Sequence, residues 1–217
     1  MGEVTGIVLL SMAAGSIAVA AGRRLVERRR ARRALRERAP LDRSSPEGTE
    51  VRVTGIVRVL DETLEAPLSG VRCVVYRSRM SPVEGFVLWA RVQKPLEQAR
   101  MVPFALELPD KSRVIVDSRH ALLDLDPIKK LRADETRRQQ LGLALGLAVR
   151  QQRASDVEET VVTEGMRVTV GGLVMKDVSP EPTSEERAFR DEQRAQLRIA
   201  GDAAHPIAIG SPMRAGS

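Results

Sequence analysis

The 217-residue chain has room for one medium-sized domain and an accessory segment. Its formal charge of +6 comes from residues 23–38, which contain nine arginines and two glutamates, whereas residues 39–217 sum to zero, so we predict no nucleic-acid partner. One cysteine and two histidines exclude an intramolecular disulfide and do not readily assemble a four-ligand zinc site, so we predict no metal and no cofactor.

The first predicted element is a membrane-spanning helix. Residues 4–22 carry no charge, and as a helix they would extend over roughly 28 Å, enough to cross a bilayer. Glu3 precedes them, and by the positive-inside rule the arginines that follow keep the C-terminal side in the cytoplasm. We therefore predict that residues 1–22 are a single-pass anchor with the N-terminus outside and the C-terminal domain cytoplasmic.

Two other interpretations of residues 4–22 stay open. Ala18-Val19-Ala20 has the small-residue pattern of a signal-peptide cleavage site, although no positive charge precedes the apolar stretch and the following arginines oppose translocation. A buried helix of a soluble domain is the third interpretation. If the anchor is correct, small residues four apart, such as Ser11 and Gly15, would permit two anchors to pair in a homodimer.

Residues 23–50 are predicted to be a polybasic juxtamembrane helix and a linker. The helix would end before Pro40, and its arginines would contact anionic lipid headgroups, each contributing about 1 kcal/mol. A topology signal without lipid specificity is the alternative. Residues 39–50 are rich in Pro, Ser and charge, so folded structure is expected from Val51. The predicted headgroup-binding residues are Arg23, Arg24, Arg28, Arg29 and Arg30.

Residues 51–217 are predicted to form one β-rich domain. Its first strand alternates valines with polar residues, the pattern of a half-buried strand, and Arg58 is expected on the exposed face. Short strands separated by turns favour a mainly β fold, either a small OB-like barrel or a sandwich. The buried face of the first strand comprises Val51, Val53, Val57 and Val59. Further strands are predicted at 71–79, 86–92, 102–108, 113–117, 159–162, 167–175 and 206–209.

Two helices are predicted within this domain. Residues 127–153 contain an apolar run, Leu141 to Val149, between stretches rich in Arg and Gln, which predicts an inserted amphipathic helix. Its apolar core is too short to cross a membrane. A second, mostly polar helix is predicted over residues 184–198, with Glu185 and Glu186 favouring its first turn.

Three blocks of residues carry a family resemblance that covers about Val51 to Ile209. The first block is Gly55-Ile56-Val57, Ala66-Pro67-Leu68-Ser69-Gly70, Cys73 and Tyr76-Arg77. The second is Pro103-Phe104, Leu106-Glu107, Val114, Val116-Asp117 and Ala121, and the third is Glu164-Gly165, Val168, Val170 and Gly171. In order and spacing these blocks resemble the GIDE domain, also called the BAM domain, of the E3 ubiquitin ligase-like family.

The resemblance implies a stand-alone prokaryotic type of this domain. In eukaryotic relatives the domain lies between two transmembrane helices and precedes a RING finger that gives ligase activity. A RING needs eight Cys or His ligands, and this chain has three such residues, so ligase activity is not implied. Residues 108–111 depart from the family's acidic-glycine turn, which leaves that hairpin's geometry open. The signature residues, with a structural or binding role, are Pro67, Leu68, Ser69, Gly70, Cys73, Tyr76, Pro103, Phe104 and Asp117.

We predict no catalytic residues. Cys73 lies in an apolar strand without a nearby histidine, which favours packing over nucleophilic chemistry. Tyr76 is expected in the core or at a groove, and Asp117 with His120 is expected as a surface pair. The chain has no phosphate-binding loop, and with 2% aromatic residues it lacks the stacking surfaces that bind single strands.

Three functional hypotheses follow. The first is a membrane-anchored, non-enzymatic cytoplasmic interaction module with an unknown protein partner. The second is an unrecognised envelope-associated enzyme, which would need a polar cleft. The third is an OB-like nucleic-acid-binding domain, against which the neutral charge of residues 39–217 argues.

Overall fold

The protein is mainly β, with two described helices. The computed structural model describes residues 26–42, 44–82, 96–118, 121–128, 134–147, 155–176, 197–202 and 204–212. Its elements are, in chain order, α1 (26–37), β1 (Ala39–Pro40), β2 (Glu50–Val59), β3 (Leu64–Glu65), β4 (Arg72–Cys73), β5 (Val75–Pro82), β6 (Leu96–Met101), β7 (Phe104–Glu107), β8 (Arg113–Ser118), β9 (Ala121–Asp124), α2 (Glu135–Ala144), β10 (Ser155–Val162), β11 (Arg167–Lys176), β12 (Leu197–Gly201) and β13 (Ile207–Gly210).

Five strands close into a barrel. The ladder runs from β2 to β7, β8, β12 and β11, and β11 pairs with β2 to complete the circle. The pair β8 and β12 is parallel, and the other four pairs are antiparallel. The mainly β prediction is therefore confirmed, with a barrel rather than a sandwich, and the closed five-stranded arrangement is consistent with an OB-like fold. Beyond the barrel, β13 pairs with β11, and β9 pairs with β13.

The alternating valines of β2 line the barrel interior as predicted. Val51, Val53 and Val57 are buried, and Val59 packs against the same core. Arg58 points to the other face, where its Nε lies 3.0 Å from a carboxylate oxygen of Glu107. The other barrel strands and β13 contribute large apolar side chains to the same core cluster, among them Phe104, Leu106, Val116, Val168, Val170, Ile199, Ile207 and Ile209.

A second layer packs beside the barrel. Strands β10, β5 and β6 form an antiparallel sheet, and the short pair β3 and β4 lies next to it. Helix α2 covers this layer by burying Leu141 against Leu68 and Met80. Val74 and Val102 belong to the barrel core, so the two layers share apolar contacts.

Helix α1 packs on the barrel surface. Ala31 and Leu35 are buried together with Ala208 of β13. Gly210 of β13 lets α1 lie this close to the strand, because a Cβ added at Gly210 would be 2.8 Å from Leu35 Cδ1. After the helix, residues 39–40 pair with β2 in parallel. Folded structure therefore begins before Val51, which corrects the prediction of an unstructured linker.

We expect Gly210→Ala to weaken the packing of α1. The added methyl would displace Leu35 from its buried position, and overpacking of this kind typically costs about 1–3 kcal/mol. Limited trypsin digestion measures the effect, because α1 is rich in arginine and should be cut faster when it separates from the barrel.

The matched test adds Gly210→Ala to a Leu35→Ala background. With Leu35 shortened, the new methyl has room. The accelerations of tryptic cleavage caused by the two single substitutions should therefore be clearly less than additive in the double variant. Additive acceleration of cleavage would mean that Gly210 and Leu35 do not share this contact.

Several predicted elements differ from those observed. Residues 71–79 form β4 and β5 with a break at Val74, whose N–H bonds instead to Val162 O. The strand predicted at 102–108 is shorter, because Val102 N bonds to Val74 O and Pro103 has no N–H to donate. Strands β1, β3, β6 and β9 were not predicted.

Both predicted helices of the domain need correction. Within the described part of the predicted range 127–153, the inserted helix spans Glu135–Ala144, and Asp134 caps it by accepting a bond from Thr136 N. Residues 197 and 198, placed in the second predicted helix, belong to strand β12. Residues 184–196 and the strand predicted at 86–92 lie outside the described residues.

None of the helices in the described ranges has both the length and the apolar character that crossing a bilayer requires. The anchor predicted for residues 1–22, with its helix pairing, lies outside those ranges.

Candidate functional site

The signature residues Pro67 to Gly70 form a tight turn between β3 and β4. Gly70 N donates to Ala66 O at 2.8 Å, and Gly70 has a φ of 70°, a left-handed conformation that glycine adopts without strain. A Cβ at Gly70 would lie 2.9 Å from the guanidinium carbon of Arg137. The turn is therefore in close contact with helix α2.

A buried carboxylate binds this turn. Glu159 of β10 is 0% exposed, and its Oε1 accepts bonds from Leu68 N at 2.9 Å and Ser78 Oγ at 2.6 Å. Its Oε2 accepts from Ser69 N at 2.8 Å. Ser78 is the direct cross-strand neighbour of Glu159 in the β5 and β10 ladder. Three donors thus offset the cost of removing the carboxylate from water.

The signature cysteine and tyrosine lie under the same turn. Cys73 and Tyr76 are buried with Ala66 in one small apolar cluster. Burial, followed by the nearby charge of Glu159, raises the pKa of the Cys73 thiol to about 11. A thiol with this pKa is protonated at neutral pH, so Cys73 packs as an apolar group and is a poor nucleophile.

The other signature residues lie elsewhere. Phe104 is fully buried in the barrel core, and Pro103 is exposed. Asp117 is half-exposed on β8 and lies 3.7 Å from Arg198 of β12, while its predicted partner His120 is outside the described residues. The fold therefore brings together residues 67–76 and separates them from the second block.

An open groove of ≈ 300 Å³ lies between α2 and the signature turn. Across its mouth, Arg137 Nη2 lies 2.9 Å from Glu65 Oε1. On the same helix Leu143 is 66% exposed. The described lining offers amides, one ion pair and aliphatic surface, and it comprises Glu65, Pro67, Gln98, Arg137, Gln140, Leu141 and Ala144.

A network of charged side chains links α1 to the second layer. Glu27 of α1 pairs with Arg77 at 3.6 Å and with Arg79, and both arginines also pair with Glu97 of β6. Arg77 also donates to the backbone carbonyl of Ala121 at 3.3 Å. Burial lowers the pKa of Arg77, although the group remains charged at neutral pH. The adjoining cavity is only ≈ 20 Å³.

A second group of ion pairs joins α1 to β9. Asp124 is 7% exposed and accepts bonds from Arg28 Nε at 3.1 Å and Arg32 Nε at 2.6 Å. Arg28 also pairs with Asp126 at 2.8 Å. One of the predicted headgroup-binding arginines therefore binds the protein's own carboxylates.

The other predicted headgroup-binding residues divide into two sets. Arg29 and Arg30 are exposed on α1, while Arg23 and Arg24 lie outside the described residues. Headgroup binding stays a prediction for these four positions.

Sequence reasoning missed the buried polar groups. Glu159 lies between Val157 and Val161 on one face of β10. A carboxylate on a strand face that otherwise carries valines was the available signal of a buried polar group. Asp124 had no such signal, because its partners lie far away in the chain. Within the described ranges, no cluster of three or more His, Cys, Asp or Glu is suited to bind a metal ion.

Comparisons of the chain with models of known protein families, with curated proteins and with solved structures find no match. The family resemblance is therefore carried by the three blocks of residues alone.

Proposed function

We propose that the chain is a membrane-anchored, non-enzymatic interaction module of the stand-alone GIDE type, with its OB-like domain in the cytoplasm and a protein as its partner. The observation that carries this proposal is the packing of α1 on the barrel. Residues 4–22, the candidate anchor, are separated by three residues from the described start of α1. Because α1 is fixed by apolar contacts and ion pairs, the domain would lie close to the bilayer at a defined position.

The arrangement of charged groups supports a role without catalysis. The cluster around Arg77 and Arg79 is partly buried, and its charges pair with one another. Its cavity of ≈ 20 Å³ is far below the roughly 300–1,000 Å³ of a typical ligand site. These arginines therefore stabilise the junction between α1 and the second layer.

The signature turn supports the family assignment. Leu68 and Ser69 donate their backbone N–H groups to Glu159, and Gly70 provides the positive φ that closes the turn. Gly70 is the turn residue whose identity this geometry requires, since any residue except proline could donate the two N–H groups. The groove beside this turn offers amides, aliphatic groups and the Glu65–Arg137 ion pair, a mixed surface of the kind that a polar protein contact uses.

A reporter fusion tests the topology. A reporter active only in the cytoplasm, fused after Ser217, should be active, because the arginines after residue 22 keep that side in the cytoplasm. Replacing Arg23, Arg24, Arg29 and Arg30 by glutamine should weaken or mix the orientation.

The chosen substitutions spare Arg28, which binds Asp124, so the domain itself should remain folded. Activity of a reporter that works only outside the cytoplasm would contradict the proposed orientation. Extraction of the protein from membranes by alkaline carbonate would contradict the anchor.

A further inference from the structure

We infer that α1 has two functional faces, one that binds the domain and an opposite one that binds an anionic lipid surface. The inference rests on the proposed function, because it requires the domain to lie on the cytoplasmic side of a membrane. Of the arginines that the sequence predicts for headgroup contact it keeps Arg29 and Arg30, and it adds two that lie further along α1. The lipid-facing residues are Arg29, Arg30, Arg33 and Arg36.

The inward face is already occupied. Ala31 and Leu35 are buried, and the Arg38 side chain is 5% exposed, with Nη2 3.1 Å from Glu50 Oε1. Arg28, three residues before Ala31, binds Asp124 and Asp126. Residues three and four apart share one face of a helix, so this side of α1 belongs to the domain.

The outward face carries basic groups exposed to solvent. Arg29, Arg33 and Arg36 recur at spacings of four and three and are exposed, and Arg30 is exposed beside them. The Arg33 side chain is 78% exposed, and its contact with Glu37 at 2.7 Å is a surface pair of small energetic value. Val26, 48% exposed on the same side, adds an apolar group of the kind that enters the headgroup region.

Charge complementarity selects an anionic lipid surface as the occupant. Four arginines stand against Glu37 on this face, whereas residues 39–217 have no net charge. A row of cations along one helix face matches an extended layer of lipid phosphates, and the attraction falls off within a Debye length. The anchor would place this row next to that layer.

The test uses the full chain in lipid vesicles, with a fluorophore on a cysteine introduced by Glu37→Cys. Cys73 is buried and should label slowly. Quenching by lipids with a spin-labelled headgroup is compared between phosphatidylcholine vesicles and vesicles that also contain phosphatidylglycerol. We expect at least about twofold stronger quenching with the anionic lipid, and we expect high salt to remove the difference.

Two triple variants of the labelled protein decide which arginines are responsible. Arg29→Gln with Arg33→Gln and Arg36→Gln should remove the lipid dependence. The control combines Arg72→Gln, Arg113→Gln and Arg167→Gln, which removes the same charge from exposed positions of the domain. This control variant should keep the lipid dependence of the quenching. Equal quenching in both vesicle types, or equal loss in both variants, would overturn the inference.

A carbonate wash of the same vesicles separates this inference from the anchor. Protein that resists the wash but shows no lipid dependence keeps the anchor and refutes the lipid-facing role. In the opposite outcome, the protein binds anionic vesicles through these arginines but is removed by the wash. That result refutes the anchor and keeps the lipid-facing role. Binding of DNA through the same arginines without any lipid dependence would also refute that role.

Discussion

Val57→Asp should unfold the barrel. Val57 is 0% exposed at the centre of the β2 face that lines the interior, and a carboxylate there would have no partner. An unpaired buried charge costs several kcal/mol, against a total stability of about 5–15 kcal/mol for a domain. Circular dichroism of the full chain in detergent should show that the variant is already unfolded at room temperature. Heating it should then give no cooperative unfolding transition.

The neighbouring position provides the control for Val57→Asp. Arg58 points to the outer face, so Arg58→Gln should leave the melt nearly unchanged. Glutamine is preferred to aspartate there, because aspartate would place a second carboxylate beside Glu107. Similar destabilisation by both variants would mean that the register of β2 is wrong.

Glu159→Ala should destabilise the second layer strongly. The substitution leaves Leu68 N, Ser69 N and the Ser78 hydroxyl without their acceptor in a buried site. Each buried donor left without an acceptor typically costs about 1–3 kcal/mol, so the total loss should be several kcal/mol. Hydrogen exchange should report it as faster exchange of the amides at Leu68 and Ser69, together with a lower melting temperature.

Two further variants calibrate the effect of Glu159→Ala. Ser78→Ala removes one donor and leaves both turn amides bonded, so a smaller loss of about 1–2 kcal/mol is expected. Asp156→Ala removes an exposed carboxylate from the same strand and should be close to neutral. If Glu159→Ala behaved like Asp156→Ala, the turn would not depend on the buried carboxylate.

The sequence predicts the barrel better than it predicts what packs around it. Alternating valines in β2 and in residues 167–175 mark strands whose inward faces must be apolar, and both are confirmed. The first two residues of β12, Leu197 and Arg198, were assigned to a helix, because they follow a polar, helix-favouring stretch. Local propensity has little weight when pairing with two neighbouring strands provides the stabilisation.

The position of α1 could not be derived from its composition. A stretch with nine arginines is typical of a solvated or membrane-proximal helix. The contacts that identify α1 as a helix packed on the domain are those of Ala31 and Leu35 and the ion pairs of Arg28 and Arg32. Those partners, Asp124 and Asp126, are more than ninety residues away in the chain. The donors to Glu159 also belong to a distant part of the sequence, although its place in the alternating pattern of β10 was a local signal.

The route of the chain through the barrel has a consequence for its synthesis. Strand β2 is made early, but its partner β11 and the closing strand β12 are made much later, and the surface that receives α1 includes Gly210 of β13. Long-range pairings of this kind form slowly, because the intervening chain must be ordered first. The first helix of the domain therefore emerges from the ribosome long before its contact surface exists. Until then its Leu35 and the open edge of β2 stay exposed, and exposed apolar groups and unpaired strand edges favour aggregation of a nascent domain.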